Sequence, residues 1–280
     1  MRIDLHAHST ASDGTCTPAQ VMRNAAAAGL DVVALTDHDT VAGHAEAVSA
    51  LPAGLTLVPG AELSCVWEGI SLHLLAYLFD PADAALAAEL ELLRTDRDRR
   101  AREMVRRLVD LGVDIAYERV LELSAGGAVG RPHVARALVE AGVVADVAGA
   151  FTDEWIGSEG RAYVDKYALD PCRAVSLVND AGGVAVFAHP GAHKRGRVLP
   201  PEAVEALAAA GLAGLEVDHP DHDPETRTRL RAQARELRLL VTGSSDDHGS
   251  ITGHRLGCEA TGPVTYEALV ERASREPVTA

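Results

Sequence analysis

In this chain a histidine or a carboxylate follows almost every stretch that reads as a β-strand. Residues 2–8, 31–36, 55–61, 184–188, 212–217 and 237–243 have the short apolar runs of strands. Residues 64–79 read as one or two more, around Glu68-Gly69. Helical periodicity fills 17–28, 40–50, 171–181, 201–210 and 224–236. In the first of these, Thr17 is placed as an N-cap, Pro18 opens the first turn and Gly29 lies just past the end. Strands alternating with helices predict βαβ units and a mostly parallel sheet or barrel. Parallel barrels gather their chemistry at the C-terminal ends of the strands.

The candidate ligands fall at those ends. His6 and His8 sit on the first strand, two apart and so on one face, where they can share one metal ion. Asp37-His38-Asp39 follows DVVALT, Glu62 follows LTLVPGA, His189 follows VAVFA, and Asp246 and His248 follow LRLLVTG. His73 lies within the apolar run SLHLLAYL, and Asp13 in a Ser-Asp-Gly turn after His8. Each alone has a bland explanation, since Asp before Gly is a common turn former and a strand histidine is usually just packed. Their recurrence strand after strand is what points to metal. A set of imidazoles and carboxylates without thiolate suits Zn²⁺, Mn²⁺ or Fe²⁺. Asp4, one step deeper on the His6 face, reads either as a carboxylate that orients a ligating imidazole or simply as a buried, hydrogen-bonded acid.

Composition narrows the partners. The net charge is −15 over 280 residues, so the body is a poor non-specific binder of nucleic acid or anionic membrane. Four scattered cysteines, Cys16, Cys65, Cys172 and Cys258, form no CxxC pair and fit a reducing cytoplasm. No signal peptide and no membrane span are expected, which places the protein in the cytoplasm. Nothing asks for a protein partner.

The middle of the chain is different. Residues 82–150 are helical in pattern with no convincing strand, and seven arginines lie between Arg94 and Arg107. They read either as an ion-paired, solvated helix face or as a basic surface turned to a substrate. The expected organisation is a barrel in two parts, 1–83 and 166–280, with a helical insertion, 84–165, capping the active site.

The strings Asp4-Leu5-His6-Ala7-His8-Ser9, Ser12-Asp13-Gly14, Thr36-Asp37-His38-Asp39-Thr40, Gly60-Ala61-Glu62, Ala188-His189-Pro190 and Ser245-Asp246-Asp247-His248 resemble the PHP (polymerase and histidinol phosphatase) superfamily. Within it the chain resembles stand-alone phosphoesterases of the nucleotide phosphatase and RNase AM type. The likeness includes Gly130-Arg131-Pro132-His133 and the stretch Glu216 to His222. It implies an α/β fold, a distorted (β/α)₇ TIM-like barrel with an inserted helical subdomain. It also implies two or three divalent ions at the mouth. One would be held by His6, His8, Glu62 and Asp246, a second by Glu62, His73 and His189, and a third by Asp13, His38 and His248. Some relatives place a histidine where Asp13 stands.

The implied reaction is hydrolysis of a phosphate monoester of a small nucleotide, such as a nucleoside 3′,5′-bisphosphate, by metal-activated water. Glu62, Asp246 and His189 would be central to catalysis. Three divalent ions on three carboxylates would leave about +3 inside an acidic body, enough to hold an anionic phosphate. Arg131 and His133, the loop His193 to Arg197, His219 and His222 are the candidates for gripping substrate. The alternatives are a 5′→3′ exonuclease on short RNA or DNA, a histidinol-phosphate phosphatase, and a metal-dependent sensor without turnover. Lys166-Tyr167, at the end of the insertion, is left open between pocket and packing.

Overall fold

The computed structural model describes residues 1–167, 169–193 and 196–280. Helix starts follow the capping rules. Thr17 and Gln20 form a capping box ahead of α1 (Pro18–Ala27), with Pro18 in the first turn. Asp170 caps α7 (Pro171–Asp180) and Asp223 caps α9 (Pro224–Glu236), each immediately before a proline. Asp83 caps the long α3 (Ala84–Asp110).

The strands are β1 (Ile3–Asp4), β2 (Val32–Leu35), β3 (Thr56–Trp67), β4 (Ile70–Tyr77), β5 (Val184–Phe187), β6 (Gly214–Asp218), β7 (Leu240–Gly243) and β8 (Val278–Thr279). Helices α2 (His44–Ser49), α8 (Pro201–Ala209) and α10 (Pro263–Val270) lie among them. The strands pair in the order β1-β2-β3-β4-β5-β6-β7, with β8 on β3. The sheet nearly closes on itself. Ala7 bridges Asp247 in parallel, the His8 amide donates to the Asp247 carbonyl at 2.9 Å, and the Thr261 amide donates to the Ile3 carbonyl at 2.9 Å. This is the expected α/β barrel, and the main departure from uniform polarity is β4. It runs antiparallel to both β3 and β5. The reason is local, because β3 and β4 are one hairpin turning at Glu68 and Gly69, both at positive φ. Two C-terminal elements, α10 and β8, had no strong sequence pattern and were not expected.

Among the described residues three apolar clusters hold the barrel, one of them setting Leu63, Leu74, Phe187 and Leu215 against Leu90, Val178, Leu207 and Leu230 of the surrounding helices. Ile3, Leu5, Val32, Ala34, Val58, Leu75, Tyr77, Val184 and Val186 cluster with Tyr266 and Leu269 of α10. Val33, Leu35 and Leu57 instead pack on Val21, Met22 and Ala25 of α1. This alternation is the period of two that a strand imposes.

Residues 84–150 carry α3, α4 (Tyr117–Leu123), α5 (Arg131–Glu140) and α6 (Val147–Ala150). With Ile156 and Ala162 they build a core from Val105, Leu108, Val120, Val134, Leu138 and neighbours. In this layer α3 packs Leu86, Leu90 and Leu93 into the core beside the barrel, and the loops also meet the barrel loops. The Ala128 amide donates to the Ala11 carbonyl at 2.8 Å. A Cβ on Gly127 would stand 2.1 Å from the Thr10 carbonyl oxygen, so only glycine allows that approach.

Candidate metal centre

Glu62 is the hub. It follows the β2-paired half of β3, and it is 1% exposed. Its Oε2 lies 3.2 Å from His6 Nε2, 3.1 Å from His8 Nε2 and 3.1 Å from His38 Nδ1. Its Oε1 lies 2.8 Å from His73 Nδ1 and 3.0 Å from His189 Nε2. Five imidazoles from β1, the β2 end, β4 and the β5 end therefore converge on one carboxylate. Asp246 Oδ1 joins from the β7 end, 3.3 Å from both His6 Nε2 and His8 Nε2.

Three groups of ligand atoms are each close enough to share a cation. They are His6, His8, Glu62 and Asp246; His38, Glu62 and His73; and His8, Asp13, His38 and His248. The first matches the expected set. The second brings in His38, expected with Asp13 and His248, because that ring points Nδ1 at Glu62 and Nε2 at Asp13, 3.8 Å away. The third adds His8, whose Nδ1 stands 4.0 Å from Asp13 Oδ1. His189 stands beside the second group through Glu62.

The donors fit a metal. His38 Nδ1 and His73 Nδ1 are buried and make no hydrogen bond among the described residues, although each lies about 3 Å from a Glu62 oxygen. An imidazole nitrogen aimed near a carboxylate oxygen without hydrogen-bond geometry suits a shared cation better than a shared proton. His189 at φ 33 and Asp246 at φ 50 occupy left-handed backbone, which costs about 1–3 kcal/mol each and is commonest at functional positions.

The charges are strongly coupled. Burial opposes the charge on His6, but Asp246, Glu62 and Glu216 outweigh it and hold that imidazole well above its ordinary range. Burial opposes the charge on His8 too, yet its bonds to Asp246 and Glu62 raise it to about 10. Burial would raise the Glu62 carboxyl, but His38, His73 and His6 hold it well below the usual range. For His38 and His73 burial prevails, and both sit below their ordinary value.

Three neighbours escaped the sequence reading. Glu216, inside β6, is fully buried; it accepts from His6 Nδ1 at 2.9 Å, from the His189 amide at 2.7 Å, and from the Ser244 hydroxyl. Its carboxyl is held down to about 2, against burial, by His6. It takes the orienting role that is one of the two readings of Asp4. Asp4 instead accepts the amides of Ser245 at 3.0 Å and Gly257 at 2.7 Å, and so ties the barrel seam. Arg97 donates to Asp39 Oδ2 at 2.5 Å and to Ser64 Oγ at 2.8 Å, which anchors α3 beside the cluster. Arg255 donates to the Asp246 carbonyl at 2.9 Å. An acid inside an apolar strand pattern, as in LAGLEV, was the available signal for Glu216.

The candidate substrate residues divide. His222 is 4% exposed; its Nε2 accepts the Gly191 amide at 3.0 Å and its Nδ1 donates to the Val217 carbonyl at 2.9 Å. Both nitrogens are spent on backbone, so His222 cannot grip substrate as expected. His219 is fully buried, with Nδ1 accepting the Asp221 amide at 3.0 Å and Nε2 left to donate to Asp246 Oδ2 at 3.3 Å. It orients a candidate ligand and does not reach outward. His133 Nδ1 accepts the Gly130 amide at 3.0 Å at the start of α5. Arg131, next to it, is half-buried and lines a cleft with Arg97, Arg100 and Gly130. Arg197 is exposed and lines an open cleft with Glu68, Ile70 and Arg229, whose lining includes none of the candidate metal ligands. Lys194 and Arg195 of the same loop lie outside the described residues.

With this geometry in hand, comparison places the chain among known proteins. Residues 4–89 match the PHP domain family. The chain is 34% identical over 248 residues to a 5′-3′ exoribonuclease of Haemophilus influenzae, covering 88% of this chain and 90% of that one. It is 34% identical over 255 residues to a 3′,5′-nucleoside bisphosphate phosphatase of Chromobacterium violaceum, covering 90% and 89%. The crystal structure of a predicted metal-dependent phosphoesterase from Bifidobacterium adolescentis superposes with a TM-score of 0.90 at 36% identity, covering 97% and 96%. This chain belongs to the PHP family. Among the described residues no helix is long and apolar enough to cross a membrane.

Proposed function

We propose that the protein is a metal-dependent phosphoesterase that removes a phosphate from a small nucleotide, such as a nucleoside 3′,5′-bisphosphate. The observation that carries this is Glu62, whose two oxygens are reached by five imidazoles while His38 Nδ1 and His73 Nδ1 make no hydrogen bond among the described residues. The named activities of the Haemophilus and Chromobacterium relatives are both phosphoester hydrolyses, which supports the reaction class. His6, His8, Asp13, His38, Glu62, His73, His189, Asp246 and His248 would hold two or three ions, Mn²⁺, Zn²⁺ or Fe²⁺ by ligand chemistry.

Bound divalent ions supply Lewis acidity and a water acidified toward neutral pH. The chain's own residues do the rest. Glu216 and His219 fix the rings and carboxylate of the first group. Arg131 and His133 stand at the edge where a phosphate would enter, and the 84–165 layer caps the mouth, its position set by the Arg97–Asp39 pair.

A second reading, trimming of short oligonucleotides from the 5′ end, uses the same centre and is favoured by the Haemophilus relative. The arginine-rich helix lends it little, because most of those arginines pair with acids on their own helix. The experiment is phosphate release from a nucleotide panel with Mn²⁺, beside a 5′-labelled oligonucleotide ladder. Phosphate release with an intact ladder supports the first reading, and progressive shortening the second. Silence in both overturns the proposal.

A further inference from the structure

Asp246 meets the first group of candidate ligands from an uncommon backbone. Its φ is 50, in the left-handed region, and its Oδ1 lies 3.3 Å from both His6 Nε2 and His8 Nε2. One of the side chains that hold it there belongs to no candidate ligand group. Arg255, nine residues further along, turns back and donates from Nη2 to the Asp246 carbonyl at 2.9 Å. The same nitrogen stands 3.7 Å from Asp246 Oδ2.

That carbonyl has a second visitor. Nδ1 of His248 lies 3.1 Å from it. A carbonyl can only accept, so Nδ1 carries the proton of this hydrogen bond. Nε2 is then the nitrogen available to a metal, and it faces Asp13 Oδ1 at 3.5 Å, as the third group requires. One carbonyl therefore joins the aim of a carboxylate in the first group to the tautomer of an imidazole in the third.

Arg255 is itself held on both sides. Its amide donates to Asp247 Oδ1 at 2.7 Å, and the Thr252 hydroxyl donates to the same oxygen at 3.0 Å. Two residues on, the Gly257 amide donates to Asp4 Oδ2 at 2.7 Å. The guanidinium thus projects from a segment tied to the β1 strand and to the end of β7.

Its placement does not favour stability. The side chain is 21% exposed, yet Nε is buried with no hydrogen-bond partner among the described residues. A buried donor left unmade costs free energy, and a methionine would fill much of the same space without that cost. The side-chain hydrogen bond and the ion pair that Arg255 does make both go to Asp246.

We propose that Arg255 is a positioning residue of the metal centre. It locks the Asp246 backbone, so that the Asp246 carboxylate and the His248 imidazole are aimed together at the ions of the first and third groups. This rests on the metal-dependent phosphoesterase reading above and adds to it a residue outside the ligand set. The second group, His38, Glu62 and His73, contains neither Asp246 nor His248, so its ion does not depend on Arg255.

The test uses the full chain with Arg255→Met and Arg255→Lys, treated with chelator and titrated with Mn²⁺ by calorimetry. In Arg255→Met the ions that use Asp246 or His248 should bind about tenfold or more weakly, while at least one ion binds as in wild type. The metal-free variant should melt no lower than wild type, because the unpartnered donor is gone. Arg255→Lys keeps a donor and the charge, and should regain most of the lost affinity. Unaltered Mn²⁺ binding in Arg255→Met would overturn the proposal. Tighter binding would also overturn it, since the guanidinium would then act only by repelling the ion. So would an equal loss at every site together with a lower melting point in both variants, which marks a general defect of the fold. Phosphate release from adenosine 3′,5′-bisphosphate by wild type is measured beside the titrations. If none is released, the phosphoesterase reading fails on that substrate, and the titrations still decide the role of Arg255.

Discussion

Glu216 accepts the Nδ1 proton of His6 at 2.9 Å, which leaves Nε2 of that ring facing Glu62 and Asp246. The same carboxylate accepts the His189 amide, so one buried acid sets the aim of ligands from two strand ends. Glu216→Gln keeps the shape but replaces the anionic acceptor of the His6 Nδ1 proton by a neutral amide, whose NH2 can only donate. Metal affinity should fall about 10–100-fold with little change in far-UV circular dichroism. Competition titration against a chromogenic chelator measures it, and wild-type affinity would show that the His6 tautomer does not need Glu216.

Glu62→Gln removes the charge from the carboxylate that five imidazoles approach. Elemental analysis should find at least one ion fewer per chain than in wild type, and turnover should drop about 100-fold or more. Full metal content with normal turnover would remove Glu62 from the centre of the site.

Metal uptake should expel protons. In the metal-free chain His8 is raised to about 10 and His6 well above its ordinary range, so both carry a proton at pH 8 that an ion must displace. Affinity should therefore strengthen as pH rises from about 6.5 toward 10. For the metal-free fold the sign is opposite. The His8 contribution to stability is fully present below about 6.5, its unfolded value, and is lost as pH rises through about 10. Calorimetry in buffers of different ionisation enthalpy counts the protons, and a release of none at pH 8 contradicts the assignment.

Arg97→Met leaves Asp39 buried with its charge unmatched. Burial raises that carboxyl, and Arg97 is the largest influence holding it below its usual range. The loss should be about 3–5 kcal/mol of stability, because removing one partner of a buried pair exposes the desolvation cost of the other. The midpoint of urea unfolding reports it, and a change under about 0.5 kcal/mol would mean that Asp39 finds another partner.

The sequence carried more of the site than of its support. His6, His8, Glu62, His189 and Asp246 were legible because parallel strands deliver their ends to one mouth, and the structure brings these side chains together there. His73 was poorly framed because β4 enters from the mouth, so its ligand falls within the strand and not after it. Glu216 reads as one polar residue in an apolar run. The duties of His219 and His222 depend on which ring nitrogen meets a backbone amide, and no spacing encodes that. The arginine cluster was ambiguous for a similar reason, since only coordinates separate Arg97, which crosses to Asp39, from neighbours that pair along their own helix.

The long hairpin of β3 and β4 has a further consequence. Glu62 and His73 lie well below its exposed Glu68–Gly69 tip, with the pairs Cys65–Leu72, Val66–Ser71 and Trp67–Ile70 between. Residues inserted at that tip would raise the rim of the pocket on one side without shifting either ligand. Access to the centre can therefore diverge between members of the same lineage through a turn, while the reacting geometry beneath stays fixed.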